Sequence, residues 1–444
     1  MQAQSTAAQL GLSGWPLVLL LAATQLSAFS DRFLMTLVAT PLKQALALSD
    51  TQLGLLRGSA FAVLNALALP AAGSLADRGH RRALLLASIL LWSVATLACG
   101  LAGTFAALFA SRMVLGLGQA GVAPAALSLM AVRVERDSLG RGVSFLTSGA
   151  SLGRSLALLA GGAALAWLTA NGGWNAPGIG QLAPWQALFV LAVVPNLALA
   201  LLVCRIVEPP PARRTPRMGV ALAWIVRRRA AYLPHLGAAS AAVLMGQALS
   251  AWAPTFYVRA FGFTPAQTGF VLGLIVLCAA PLGHLAGGVV LDRLRRTRRR
   301  DAAPLMLGIG LLLAQPPAVT MTLAADLTVS LAGFFLLVTM LGFTSPPGLA
   351  GIQFLTPVAL RGRVSALFLA SVTLAAFGLG PFLVGLLSDT VFGENGLGRA
   401  MLALFSGAGL VGVLFAYRAA RPKVRARHVA GGRISPRPPA RPGG

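Results

Sequence analysis

The stretch GSLADRGHRR (Gly73–Arg82) decides the reading of this chain, because it recurs 215 positions later as GVVLDRLRRT (Gly288–Thr297). Gly73 matches Gly288, Asp77 matches Asp292, Arg78 matches Arg293 and Arg81 matches Arg296. Each copy closes a long apolar segment. A segment end repeated at that separation implies two equivalent bundles with a cleft between them.

Hydrophobic residues make up 57% of the sequence and charged residues 11%, far from the balance of a water-soluble domain. Twelve windows are long and apolar enough to cross a bilayer: 15–40, 52–76, 83–102, 105–132, 142–169, 185–207, 232–257, 265–291, 302–324, 327–356, 364–390 and 398–418. They predict an all-α membrane protein of twelve transmembrane helices in two six-helix bundles, and they exclude a soluble enzyme. Residues 1–207 form the first bundle and 232–418 the second. Between them, 208–231 carries EPPPARRTPR and reads as a cytoplasmic linker. Residues 419–444, rich in Arg, Pro and Gly, read as a disordered basic tail.

The net charge of +25 raises nucleic acid as a partner, but its distribution points to a membrane. Of 36 Lys and Arg residues, 29 lie in alternate connections and in the tail from Arg418, whereas the other face offers Lys43, Arg259 and Arg399. By the positive-inside rule both termini are cytoplasmic, in an inner or plasma membrane, and the basic loops meet anionic lipid. The leading MQAQSTAAQLGLSGWP has no basic n-region and reads as an uncleaved lead-in to the first span. Cys99, Cys204 and Cys278 lie far apart in apolar helices and read as buried small side chains. No metal or cofactor spacing is present, and the short outer loops leave no receptor head. The chain is expected to act as a monomer.

GSLADRGHRR, the RMVLGLGQAGVAP stretch in the fourth span, Asp31-Arg32 in the first, WAPTFYVRAFGFTPAQTG (Trp252–Gly269) and GLGPFLVGLLSD (Gly378–Asp389) together resemble the major facilitator superfamily, over nearly all of 15–418. Within it the chain is similar to the spinster-like branch or the neighbouring organic-anion symporters. The resemblance implies alternating access by two rocking bundles, with spans 1 and 4 side by side on a central cavity. Two positions depart from the pattern: His80 stands where Gly is usual, and Gln119 where spinster-like proteins carry an acid. Gln119 takes up no proton, so coupling through that carboxylate does not carry over.

Ionisable side chains inside a span cost about 2.5–3.5 kcal/mol each at the helix centre, so each needs a reason. The first half holds five: Asp31, Arg32, Arg57, Arg112 and Arg154. Counting from span ends places Asp31 and Arg112 at similar depth. They form either a proton-carrying pair, with Asp31 titrating against Arg112, or a structural ion pair. Arg32 either faces the cavity or pairs with a neighbouring helix. Arg154 is either Asp31's partner or a receptor for an anion, and Arg57 is expected to snorkel to the outer rim. Four Arg against one Asp make an electropositive pocket suited to a carboxylate or phosphate. The apolar company of Phe29, Phe61, Phe145 and Trp252 suits an amphipathic molecule, or is ordinary packing and lipid-facing surface.

The second half has no deep charge; its polar candidates are Gln247, Ser250, His284, Thr344 and Ser345. His284 either titrates or is a hydrogen-bonded packing residue. The substrate-binding candidates are thus Arg32, Arg112, Gln119, Arg154, Gln247 and His284. Gly73, Asp77, Arg78, Arg81, Arg82, Asp292 and Arg293 read as a cytoplasmic gate, or alternatively as helix caps. Gly116, Gly118, Gly121, Pro124, Gly380 and Pro381 read as packing and bending positions. The expected activity is secondary active transport of an organic or lipid-like anion, with proton coupling through Asp31. A hydrophobic-drug/proton efflux antiporter is the rival within transport, and a membrane receptor or lipid scramblase the rival outside it.

Overall fold

In hydrocarbon every backbone N–H and C=O needs a partner within the protein, and a helix supplies that partner inside each segment. The computed structural model describes residues 14–176, 178, 180–207, 218–297, 301–357 and 360–421. Its spans 1 to 12 are Gly14–Leu37, Asp50–Asp77, Arg81–Leu101, Phe105–Arg133, Arg141–Ala170, Pro184–Val203, Arg229–Phe261, Pro265–Arg296, Ala302–Leu323, Leu327–Leu355, Arg361–Phe392 and Glu394–Ala420. These ends match the apolar windows to within five residues.

Even-numbered spans start on the face with few charges (the sparse face). Their starts are set by local chemistry: Ser49 and Thr264 form capping boxes with Gln52 and Gln267, and Thr104 and Asp326 accept from Ala107 and Val329 backbone N–H groups. The Arg-rich connections and both ends of the described chain lie on the opposite, basic face. Between spans 5 and 6 a short hairpin pairs Trp174–Ala176 antiparallel with Gly180–Leu182, with Trp174 opposite Leu182.

Spans 1 to 6 and 7 to 12 form two bundles, joined where span 5 packs on span 8 and span 2 on span 11. Missing side chains permit this approach. A methyl group at Gly58 would strike the Phe377 carbonyl oxygen, and one at Gly385 the Asp50 carbonyl oxygen. Each of spans 2 and 11 also widens into a π turn, at Leu55–Ser59 and Thr373–Phe377. Such turns recur at functional sites because they redirect a side chain within a helix.

The expected linker is partly helical: Met218–Arg227 forms a helix, whose Trp224 donates to Tyr232 Oη at 2.9 Å. Its apolar pattern, MGVALAWIV, lies beside arginines that dominate the composition of the stretch. The lead-in up to residue 13, the first part of the linker and the tail from residue 422 lie outside the described residues. Of the cysteines, Cys99 is buried while Cys204 and Cys278 are exposed on the outer surface, which corrects the reading of all three as buried.

Candidate functional site

Arg154 stands on span 5 and reaches toward the second bundle. It lines a cavity of about 290 Å³ together with Gln247, Ser250, His284, Thr344 and Ser345, on spans 7, 8 and 10. All five polar candidates of the second half therefore converge on one arginine of the first. The rest of the wall is apolar or glycine, and no acidic residue contributes to it. The Arg154 guanidinium lies 4.9 Å from the Phe33 ring centre, and its Nε is buried without a hydrogen-bond partner. His284 Nδ1 bonds the Ala280 carbonyl oxygen at 2.6 Å, one helical turn back. This placement brings Arg154, Gln247 and His284 together and leaves the other substrate candidates elsewhere.

Arg32 is held by Gln119, whose Oε1 accepts from Nε and Nη2 at 3.3 and 3.1 Å while its Nε2 donates to the Ala28 carbonyl oxygen at 2.8 Å. The guanidinium lies 4.5 Å from the Phe29 ring centre, 4.0 Å from Phe61 and 5.3 Å from Phe377 of the other bundle. Gln119 thus fixes an arginine, at the position where the sequence departs from the spinster-like pattern. Phe145, by contrast, is exposed and edge-on to Trp15 and does not line the Arg154 cavity.

Asp31 is buried among neutral donors. Asn196 Nδ2 donates to its Oδ2 at 2.6 Å and Thr96 Oγ1 at 3.1 Å, and Ser27 in turn donates to Asn196 at 2.6 Å. Arg112 bonds the carbonyl oxygens of Leu56 and Arg32 at 3.1 and 3.4 Å. No ion pair joins Asp31 to Arg112 here; among the described residues none of the four deep arginines has a carboxylate oxygen within 4.0 Å. Arg57 does not snorkel. It is 6% exposed, donates from Nη2 to Thr255 Oγ1 of span 7 at 2.7 Å and lies 4.5 Å from the Trp252 ring centre. Its place in the π turn aims it across the seam, a direction that counting residues from the span end misses.

The sparse end of the seam holds a lock that sequence reasoning missed. Asp50 opens span 2 and takes both terminal nitrogens of Arg259 from span 7, at 2.6 and 2.7 Å. Lys43 reaches the same carboxylate at 2.9 Å and also pairs with Glu394, while Ser388 of span 11 donates to it at 2.7 Å. Asp389 accepts from the Asp50 and Thr51 backbone N–H groups at 3.1 and 2.7 Å, and from the Thr51 hydroxyl at 2.6 Å. The available signal was that nearly all the charges of a charge-poor face fall at loop ends. Nothing in a single sequence pairs residues 209 positions apart.

Toward the basic face the bundles part around a cavity of about 610 Å³, lined by Gly73, Asp77, Pro124, Gln353 and Arg361 among others. Leu369 lines both this vestibule and the Arg154 cavity. Asp77 crosses the vestibule to Arg363 of span 11 at 2.7 Å. Its repeat partner does not: Asp292 and Arg293 are exposed and make no ion pair or side-chain hydrogen bond among the described residues. Arg81 is buried and donates to Ser128 within its own bundle at 2.8 Å, Arg82 is half-buried beside it, and Arg78 lines a separate groove between spans 2, 3 and 4. The expected symmetric gate is therefore one-sided in this conformation. Gly116, Gly118 and Gly121 lie against Phe61, Trp92 and Ser88, and Gly380 against Leu244, while the Pro381 carbonyl accepts from Trp252 at 2.9 Å.

Comparison with known proteins fits this architecture. The chain is 28% identical to an MFS-type efflux pump of Mycolicibacterium smegmatis, over 90% of this chain and 91% of that one. It is 24% identical to protein spinster homolog 1 of Xenopus laevis, over 84% and 73% of the two chains. In fold it is similar to the crystal structure of a bacterial homolog to the human lysosomal transporter Spinster, in inward-facing and unoccupied conformation, with a TM-score of 0.75, 24% identity and 91% and 94% of the chains covered. The family profile of the Major Facilitator Superfamily matches residues 20–377. With two six-span bundles around a shared cavity, this chain belongs to the Major Facilitator Superfamily, is similar to its spinster-like members, and is a multi-pass membrane transporter, not an enzyme.

Proposed function

We propose that the protein is a secondary active transporter that moves an amphipathic organic anion by alternating access. The observation that carries this reading is Arg154: a guanidinium without a carboxylate partner, in a largely apolar cavity that holds five other polar side chains and, among the described residues, no acid. A carboxylate, sulfonate or phosphate head meets the fork of Arg154, and Gln247, Ser250 and His284 complete its hydrogen bonds. The apolar wall takes the remainder of the molecule. Arg32, Arg112 and Gln119 contribute positive potential from the first bundle. The basic face, by the distribution of arginine, is cytoplasmic, which makes the lock around Asp50 external and the vestibule internal.

Proton coupling runs through Asp31, the one acid deep in a described span, with Arg112 as its charge partner in the alternate state. Its neutral donors, Asn196 and Thr96, leave room for either protonation state. A second reading, export of hydrophobic compounds, is favoured by the similarity to the mycobacterial efflux pump.

The test is transport in proteoliposomes under an imposed pH gradient, comparing a fluorescent fatty-acid analogue with the cationic dye ethidium. Gradient-driven movement of the anion supports the proposal. Movement of the dye alone favours the efflux reading, and gradient-independent equilibration of the lipid analogue favours a scramblase.

A further inference from the structure

Arg57 is the deep arginine to which the anion-transport reading above gives no part. It lies closer to the sparse face than Arg154, and its Nε and Nη1 are buried without hydrogen-bond partners. Its one side-chain partner, Thr255, belongs to the other bundle, as does Trp252 beneath its ring-facing side. A buried donor without an acceptor costs about 1–3 kcal/mol, more when charged, and a span position offers no water to offset it. Moreover, Arg57 sits in the π turn of span 2, which faces the π turn of span 11 through Gly58 and Phe377.

Thr255 also lines a second cavity, of about 250 Å³, with Thr36, Thr40, Trp185, Pro254 and Thr268 around it. Its wall sets five threonines and the Gln44 amide among apolar side chains, and among the described residues it carries no charged side chain. Arg57 does not itself line this cavity; Thr255 stands between the two, bonded to the guanidinium on one side and lining the cavity on the other.

We propose that Arg57 is a second anion-binding station, used when the seam opens on the sparse face. The inference rests on the anion-transport reading above. In the sealed state the Thr255 hydroxyl substitutes for the ligand. Opening carries span 7 and Thr255 away from span 2, and the guanidinium, already short of acceptors, takes the anionic head. The anion then passes from Arg57 to Arg154 as the bundles rock, so each face of the membrane has its own arginine.

The experiment measures half-saturation concentrations for the fatty-acid analogue from each face, in proteoliposomes of determined orientation. Arg57→Gln is expected to raise the value about tenfold from the sparse face and to leave the basic-face value within about twofold. Thr255→Val, which removes only the competing hydroxyl, is expected to lower the sparse-face value about threefold. These opposite signs separate a binding station from a packing role, and Thr255→Val keeps the test valid should Arg57→Gln fold poorly. Equal impairment from both faces, or a sparse-face value that Thr255→Val raises or leaves unchanged, overturns the assignment of Arg57 alone. Absence of anion flux in the wild-type protein overturns this station together with the transport reading.

Discussion

Asp31 and Arg154 show how position divides the work among buried charges. Asp31 lines none of the cavities described above and is held within the first bundle by Asn196 and Thr96. Replacement by Asn keeps an oxygen acceptor for both donors, so Asp31→Asn is expected to fold and to retain anion counterflow. Gradient-driven accumulation should fall at least about tenfold, because the group that takes the proton is gone. Equal loss of counterflow and accumulation would make Asp31 a structural residue. Arg154→Lys keeps a charge but loses the planar fork. It should therefore bind the anion more weakly than wild type and better than Arg154→Gln, as isothermal titration with the fatty-acid analogue measures. At this scale the sequence was informative about existence and silent about partners. A charge inside an apolar window is visible by inspection, which found all five deep groups. Whether Arg57 turns toward the rim or toward Thr255 depends on a π turn that no residue pattern announces.

Between the elements, ion pairs join the bundles at both ends of the seam, Asp50–Arg259 and Lys43–Glu394 at one and Asp77–Arg363 at the other. Asp50 is fully buried and takes bonds from Arg259, Lys43 and Ser388, each bond to a charged group being worth about 1.5–3 kcal/mol. The Asp77 and Arg363 side chains are 33% and 15% exposed, and such a partly solvated pair is worth about 0–1 kcal/mol. In this structure the seam is closed on the sparse face and opens into the vestibule on the basic one. Asp50→Asn is expected to release spans 2 and 11 there, seen as roughly fivefold or faster hydrogen exchange over residues 50–59 and 385–392. Asp77→Asn is expected to change exchange at the basic end of span 2 by no more than about twofold. A larger effect of Asp77→Asn than of Asp50→Asn would reverse the assignment of the dominant lock. Gly385→Ala should act like Asp50→Asn, since its methyl group meets the Asp50 carbonyl oxygen. Spans and their order were legible because bilayer thickness imposes a length and apolarity that few soluble segments share. The helix Met218–Arg227 was not, because a ten-residue apolar stretch beside an Arg-rich run lacks that signature.

As a whole the molecule is a symmetric scaffold around an asymmetric interior. The repeat of Gly73–Arg82 at Gly288–Thr297 foretold two bundles, and two bundles are present. It did not foretell equal function. Asp77 bridges the halves while Asp292 stands exposed, and the four deep arginines all come from the first half while most of the cavity wall comes from the second. In the proposed transport cycle each half thus supplies what the other lacks, charge from one and polar contacts from the other, and the anion site forms only where they meet. The most direct test of that claim is uptake of the fatty-acid analogue into proteoliposomes by wild type and by Arg154→Gln, under the same pH gradient. The expected result is anion accumulation by wild type and a loss of about tenfold or more in the variant, with unchanged thermal unfolding of the purified protein. Accumulation by Arg154→Gln at the wild-type rate and half-saturation would contradict an anion site centred on this arginine.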